Sequence, residues 1–480
     1  MSEENPKPNI IIFIPDEMRG DCISLSGRRN PIIHTPNFDD LAKDGVAFTN
    51  CFTVNPVCGP SRCCTFTGQY VHSNGHRSLY QLLQPHEDNL FKFLKNNGYE
   101  VVWLGRNDLF NRDAIDQSIT KRIRPKIGAW KTNPYPLNHP MRKSFYFGQR
   151  TLEESNDPDY HIIQKAIKYL NSEHKNPFCL YIALNFPHPP YTVEEPYFSM
   201  YDRETIPEPI PSKFDDKPKF MKLMHERYGL DNLKNEDFKE IVATYYGMIT
   251  RVDHLFGQLI DELKQIGEYD NSAIFMSADH GDYAGDYGLT EKWPNAFQDC
   301  LVNVPLIIKT PKSQIKNKII EELVQTIDIF PTVLNIAKII TPYTHFGIDL
   351  LPLINNEIET VREVVFAEGG YNPREPQCFE PVISNSNTPG IGIYYDKTNI
   401  PNEDNSTVAR SVMIRTKYWK LIIRDKGKEE LYDLIIDPKE TNNLIDSKEQ
   451  NGIKLKLKEK LLRWYLRTSD NANWKRERNV

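Results

Sequence analysis

Residues 9–17 read N-I-I-I-F-I-P-D-E, and this stretch decides the architecture. Asn9–Ile14 is a continuous apolar run, as a strand covered on both faces requires. It stops at Pro15 and delivers two acids, Asp16 and Glu17, at its C-terminal end. The same pattern recurs along the chain. Val46–Phe52 reads as a strand leading into V-C-G-P-S-R-C-C-T-F-T-G at 57–68. The amphipathic helix Leu90–Asn97 is stopped by Gly98 and followed by the strand Tyr99–Leu104. Phe178–Leu184 ends at Pro187-His188-Pro189-Pro190, and Ala273–Ser277 ends in Ala278-Asp279-His280-Gly281-Asp282. Between them lie a short helix opened by Thr35-Pro36, a helix over His161–Leu170, and a long helix capped by Asn235. Phe238, Ile241, Tyr245, Ile249, Val252 and Phe256 share one face of that long helix. Buried strands alternating with helices predict an α/β fold: a large, mostly parallel sheet sandwiched by helices.

After about residue 360 the pattern changes. Val364–Ala367, Ser411–Arg415, Trp419–Ile423 and Glu430–Leu434 read as short strands, and Ile453–Leu466 as a final helix. The expected division is a large α/β domain over 1–360, which carries the strand-end acids, and a smaller C-terminal α+β subdomain over 361–480 with a short antiparallel sheet. Residues 105–155 read as an irregular, site-covering insertion, 195–232 as a surface excursion, and 370–408 as a further loop.

Composition narrows the class. The 480 residues are 39% hydrophobic and 11% aromatic, enough for a sizeable core, and carry a net charge of −6. No basic block marks a nucleic-acid partner, and Lys475–Arg478 reads as a solvated end. No apolar run is long enough to span a membrane. The polar opening M-S-E-E-N-P-K-P does not fit a signal peptide, so the expectation is a cytoplasmic protein. Cysteines stand at 22, 51, 58, 63, 64, 179, 300 and 378 without a CxxC pair. Seven read as packing residues and Cys58 as chemical.

Cys58 reads as lying just before a helix start. Pro60 suits the first helical position, Gly68 the stop, and Arg62 follows one turn after the cysteine. Free backbone N–H groups with a guanidinium fork suit a tetrahedral oxyanion such as sulfate or phosphate. In open α/β sheets ligands gather beyond the carboxyl ends of the strands, where Asp16, Glu17 and Asp279 are placed. Such hard oxygen donors select a divalent cation, calcium first and magnesium next, while His280 admits manganese. Only three residues separate Cys58 from Arg62, too few for a cysteine-phosphatase loop.

Cys58-Gly59-Pro60-Ser61-Arg62 with Thr67-Gly68 resembles the signature of the type I, formylglycine-dependent sulfatases of the alkaline phosphatase superfamily. The resemblance extends to the P-N-I-I-I-F-I-P-D opening, H-T-P-N-F-D-D-L-A, F-P-H-P-P-Y at 186–191, S-A-D-H-G-D at 277–282, Glu291-Lys292-Trp293, D-I-F-P-T at 328–332 and E-L-Y-D-L-I-I-D-P-K-E-T-N-N-L near the end. It implies an alkaline phosphatase-like sheet. It implies that a separate maturation enzyme oxidises Cys58 to formylglycine, whose hydrate attacks sulfur and then expels sulfate by re-forming the carbonyl. Asp16, Glu17, Asp279, His280 and the Cys58-derived group are then the metal ligands. Arg62 holds the formylglycine, and His188 and Lys292 contact the sulfate or protonate the leaving oxygen.

The chain departs from the family pattern in three places. Gly105-Arg106-Asn107-Asp108 stands where relatives carry Gly-Lys-x-His. Arg106 keeps the catalytic positive charge with a planar fork, and Asp108 and Asn107 become candidates for a substrate hydroxyl or amine. Glu17 replaces a second aspartate. His280, where asparagine is common, resembles the branch containing phosphonate monoester hydrolases. The expected function is a sulfatase acting on a sulfated carbohydrate or an aryl sulfate. The alternatives are a phosphonate monoester or phosphodiester hydrolase using the same nucleophile, and a non-catalytic binding protein on this scaffold. Arg251 and Asp253 read as structural. His72, His76 and Arg77 lie near the signature, but nothing in the sequence selects them, and the oligomeric state has no readable signal.

Overall fold

A computed structural model of the chain describes residues 7–124, 131–340, 343–372, 374–375 and 392–469. Asn9–Asp16 is fully buried and lies inside a nine-stranded sheet. It pairs in parallel with Phe178–Pro187 on one side and Ser272–Ser277 on the other. Beyond Phe178–Pro187 come Glu100–Gly105 and Lys121–Ile123. Beyond Ser272–Ser277 come Asn303–Lys309, Val46–Phe52 and Lys318–Ile320, with Val324–Gln325 also pairing with Val46–Phe52. The expected fold class is therefore present, with one reversed strand: Asn303–Lys309 runs antiparallel to both neighbours. Its residues are apolar because both faces are covered, and that pattern is the same in either direction.

The long helix spans Asn235–Gln265. Its Phe256 ring packs 5.0 Å from Phe13 on the sheet and 5.2 Å from Phe38 on the helix Pro36–Lys43. Asn235 is its first helical residue, and the cap is Lys234, whose N–H donates to Asp237 at 2.9 Å. The insertion at 105–155 is more ordered than expected. It holds the edge strand Lys121–Ile123 and a strand, Tyr146–Gln149, paired with Tyr191–Val193. Runs of three or four residues are too short to show a period. The excursion at 195–232 contains the helix Lys219–Arg227, and 370–408 contains the helix Tyr395–Glu403. Residues 373 and 376–391 of that loop, Cys378, and Lys475–Arg478 lie outside the described residues.

Val365–Gly369, Ser411–Arg415, Trp419–Arg424 and Glu430–Asp433 form an antiparallel four-stranded sheet, as expected. Helix Asn451–Thr468 covers it, with Trp464 stacked 4.4 Å from Phe366. The seven described cysteines are buried and unbridged. No helix among the described residues is long and apolar enough to cross a membrane.

Candidate active site

Parallel pairing aligns the carboxyl ends of Asn9–Asp16, Phe178–Pro187 and Ser272–Ser277 along one edge. Helix Cys58–Thr67 points its first turn there; it starts at Cys58 itself, so Pro60 is its third residue and not its first, a place where the missing N–H is equally without cost. Val57 is extended before it, its N–H held by Asn55 Oδ1 at 2.9 Å. Gly68 ends it at φ +68°. Every residue of the helix is buried, so its polar groups need internal partners. Ser61 Oγ donates to the Asp279 carbonyl at 2.6 Å. Arg62 donates from Nε to Asp279 Oδ2 at 2.8 Å, from Nη2 to Asp16 Oδ2 at 3.1 Å, and from Nη1 to the Tyr181 hydroxyl at 3.1 Å.

Asp279 Oδ1 accepts the backbone N–H groups of Glu17 (3.0 Å) and His280 (2.9 Å). Burial would raise this carboxyl, but the charge of Arg62, helped by the Glu17 N–H and the Arg62 hydrogen bond, outweighs it and holds its pKa below the ordinary value. Cys58 Sγ lies 3.1 Å from His280 Nε2 and 3.4 Å from Asp16 Oδ1. Burial, reinforced by Asp16, pushes the Cys58 thiol well up, so it is a thiol and not a thiolate. His280 Nδ1 donates to the Gly281 carbonyl at 2.9 Å. Its Nε2 lone pair therefore faces Sγ, and burial keeps the ring neutral by lowering its pKa. Asp16, Cys58, Asp279 and His280 each offer one ligand atom, all within 4.8 Å of one another.

Glu17 turns elsewhere. Its backbone is left-handed at φ +67°, and Oε2 accepts from Lys292 Nζ at 2.6 Å. It falls in a second, overlapping group with Asp16 and His188, not in the four-residue cluster. Lys292 Nζ also donates to His188 Nε2 at 3.0 Å and Glu291 Oε1 at 2.9 Å. His188 Nδ1 donates to the Pro189 carbonyl at 2.7 Å. Burial, then the charges of Lys292 and Arg106, lower the His188 pKa, so its ring is neutral.

Arg106 enters from the end of Glu100–Gly105. Gly105 sits at φ +107° so close to the neighbouring strand that a Cβ would lie 1.9 Å from the Ala183 carbonyl oxygen. That contact lets the Arg106 N–H bond the same oxygen at 2.9 Å. Arg106 Nη1 reaches Asp16 Oδ2 at 3.1 Å while Nε pairs with Asp108. Side chains of Arg106, Asp108 and His188 are 24%, 16% and 11% exposed, whereas those of Asp16, Glu17 and His280 are at 0%. The three partly exposed groups thus form the rim by which solvent or ligand meets the buried floor. Asn107 has both ends of its amide engaged within its own loop, accepting from Phe110 N–H at 3.0 Å and donating to the Phe110 carbonyl at 2.9 Å.

Sequence reasoning missed Tyr181, Ser61 and the site role of Glu291. A tyrosine inside an apolar strand was the one signal for Tyr181; Ser61 and Glu291 sat inside motifs without marking themselves. Of the residues read as structural, Asp253 accepts the Asn37 and Phe38 N–H groups at 3.2 and 2.7 Å, and Arg251 pairs with Glu194 and Asp157. His72 binds Glu368 and Thr468.

The Sulfatase family model matches residues 8–339, and a model described as N-sulphoglucosamine sulphohydrolase, C-terminal, matches 372–466. An arylsulfatase of Clostridium perfringens is 26% identical over 92% of this chain and 91% of its own length. An N-acetylglucosamine-6-O-sulfatase of Bacteroides thetaiotaomicron is 24% identical over 93% and 84%. Two solved structures share the fold. A phosphonate monoester hydrolase of Agrobacterium radiobacter has a TM-score of 0.75 at 21% identity, covering 96% of each chain. A protein solved with its substrate D-glucosamine-2-N,6-O-disulfate has a TM-score of 0.74 at 22% identity, covering 98% of this chain and all of the other.

Proposed function

Since the chain belongs to the sulfatase family and is a sulfuric ester hydrolase, we propose that it cleaves a sulfate ester of a carbohydrate after Cys58 has been oxidised to formylglycine by a separate maturation enzyme. The likeness to an N-acetylglucosamine-6-O-sulfatase supports a sulfated sugar.

The single observation that carries this reading is the convergence of Cys58 Sγ, His280 Nε2 and the Asp16 and Asp279 carboxylates within 4.8 Å. Two carboxylates and an unprotonated imidazole nitrogen fit a divalent cation, for which calcium is our choice and magnesium or manganese the alternatives. Asp16, Asp279, His280 and the oxidised Cys58 would hold it, with Glu17 at the margin. When bound, the cation makes a hydroxyl of the hydrated aldehyde acidic and withdraws charge from the sulfate oxygens.

The protein's own groups do the remainder. Arg62 holds both carboxylates and so ties the signature helix to the two strand ends. The neutral thiol of Cys58 fits a precursor awaiting oxidation better than a thiolate nucleophile. Arg106 faces the incoming anion from the rim, where a guanidinium fork matches two sulfate oxygens. Lys292 and His188 stand together, one with protons and one with a lone pair, so that a proton passes to the leaving oxygen from Lys292. Asp108 is placed to accept a sugar hydroxyl or ammonium beside the ester.

The test is expression with a formylglycine-generating enzyme, mass spectrometry of the Cys58 peptide, and kinetics on nitrophenyl sulfate, 6-O-sulfated N-acetylglucosamine and a phenyl phosphonate ester. Conversion to the aldehyde with sulfate ester turnover, lost in Cys58→Ala without loss of fold, is the expected result. Turnover retained in Cys58→Ala, or a much larger kcat/KM for the phosphonate, overturns the reading.

A further inference from the structure

Among the described residues of the C-terminal segment, Lys397 reaches the carboxylate that holds Lys292. Lys397, on helix Tyr395–Glu403, is 4% exposed. Its ammonium spans the Glu291 carboxylate, 3.0 Å from Oε1 and 2.8 Å from Oε2. Glu291 is 1% exposed and sits at φ +65°. Its Oε1 accepts from Lys292 Nζ at 2.9 Å, and its Oε2 accepts the Lys292 backbone N–H at 2.9 Å. The Glu291 N–H is fixed by the Tyr191 hydroxyl at 2.9 Å. The result is a buried chain of alternating charge: Lys397, Glu291, Lys292, Glu17.

This chain constrains Lys292. An ammonium has three protons, and those of Lys292 go to Glu17, Glu291 and His188. Turning one of them toward a substrate oxygen requires that its present acceptors not hold it too strongly. A buried carboxylate neutralised by Lys292 alone would bind that ammonium with its full charge. Lys397 shares the Glu291 carboxylate and lowers that demand. The segment carrying Lys397 is itself pinned beside Lys292: Trp293 Nε1 donates to the Thr407 carbonyl at 2.7 Å and Asn295 Nδ2 to the Ala409 carbonyl at 2.8 Å.

We infer that Lys397 is a positioning residue, acting through Glu291 to set the place and freedom of the Lys292 ammonium, so that the C-terminal segment completes the active site. The inference rests on the reading of Lys292 as the group that meets the sulfate or the leaving oxygen. Its structural rival is a Lys397–Glu291 pair that merely docks the segment.

The experiment measures kcat, KM and thermal midpoint for formylglycine-containing wild type, Lys397→Met, Lys397→Arg, Lys292→Ala and the Lys292→Ala/Lys397→Met double variant, with nitrophenyl sulfate as substrate. We expect Lys397→Met to lower kcat about tenfold or more with KM changed less than about threefold. Arginine, which keeps charge and donors, should recover most of the loss. In the Lys292→Ala background the Met substitution should cost no further activity, because the two act through one group. Should the Met variant fail to fold, Lys397→Gln is read by the same criteria. An unchanged kcat in Lys397→Met, a loss confined to KM or to the thermal midpoint, or a loss that multiplies with that of Lys292→Ala overturns the inference. An inactive, formylglycine-containing wild type overturns the hydrolysis reading, and this inference with it.

Discussion

His280 Nε2 lies 3.1 Å from Cys58 Sγ, and the opposite nitrogen of the ring is committed to the Gly281 carbonyl at 2.9 Å. The second contact sets the tautomer, and the tautomer turns the first nitrogen into a donor of electrons at the cluster. His280→Ala is expected to weaken divalent cation affinity by about tenfold or more. Chelation should abolish wild-type turnover and added calcium should restore it. Titration of metal-free enzyme, followed by calorimetry and by activity, checks both. Equal affinity in wild type and variant would count against His280 as a ligand.

Arg106 bridges Asp16 on the floor and Asp108 on the rim. Removing the guanidinium in Arg106→Ala should lower kcat/KM for nitrophenyl sulfate by about a hundredfold, the size of one lost transition-state donor. Asp108→Asn should change that small substrate less than about threefold, yet raise KM for a sulfated amino sugar about tenfold by removing a charged acceptor. Steady-state kinetics on the two substrates separates the roles. A uniform effect of Asp108→Asn on both would assign Asp108 to Arg106 alone.

Gly105 has no room for a side chain: a Cβ would meet the Ala183 oxygen at 1.9 Å, at a backbone φ of +107°. Gly105→Ala is expected to destabilise the protein by about 3 kcal/mol or more, since strain and a main-chain clash act together. Circular dichroism melting checks this, and a shift of only a degree or two would show that the strand relaxes at little cost.

Asp253 supplies the pH dependence. Burial raises its carboxyl to about 7, against the opposing hydrogen bonds from Phe38 and Asn37. In the unfolded chain its value is ordinary, about 4. As pH rises the unfolded state loses this proton first, so the stability tied to Asp253 is complete below about pH 4 and is lost as pH climbs to about 7. The stability difference between wild type and Asp253→Asn should therefore fall between those values and level off above them. Unfolding curves of both proteins across that range test the sign; a difference that grows with pH would contradict it.

The apolar runs at Asn9–Ile14 and Phe178–Leu184 exposed their strands because a doubly covered strand has a composition unlike any loop. Cys58-Gly59-Pro60-Ser61-Arg62 exposed the helix start for similar local reasons: a proline in the first turn and a glycine stop. Lys121–Ile123 and Tyr146–Gln149 stayed hidden because so few residues carry no period. The reversal of Asn303–Lys309 stayed hidden because burial on both faces erases direction. Asn107 read as a site residue by its place beside Arg106, yet its amide serves a turn, a choice made by local hydrogen bonding and not by neighbourhood in sequence.

What the sequence by itself determined is the α/β class, the helix turn at Cys58, and which acids end strands. These follow from periodicity, capping chemistry and the rule that strand ends share an edge when the strands are parallel. What only the tertiary structure decided is how the acids divide. Asp16 and Asp279 join Cys58 and His280, while Glu17 groups with Asp16 and His188 and pairs with Lys292, and Glu291 ties Lys292 to Lys397 more than a hundred residues away. The reason is physical. A buried carboxylate takes the cation that packing brings nearest, and packing over such separations has no trace in local pattern.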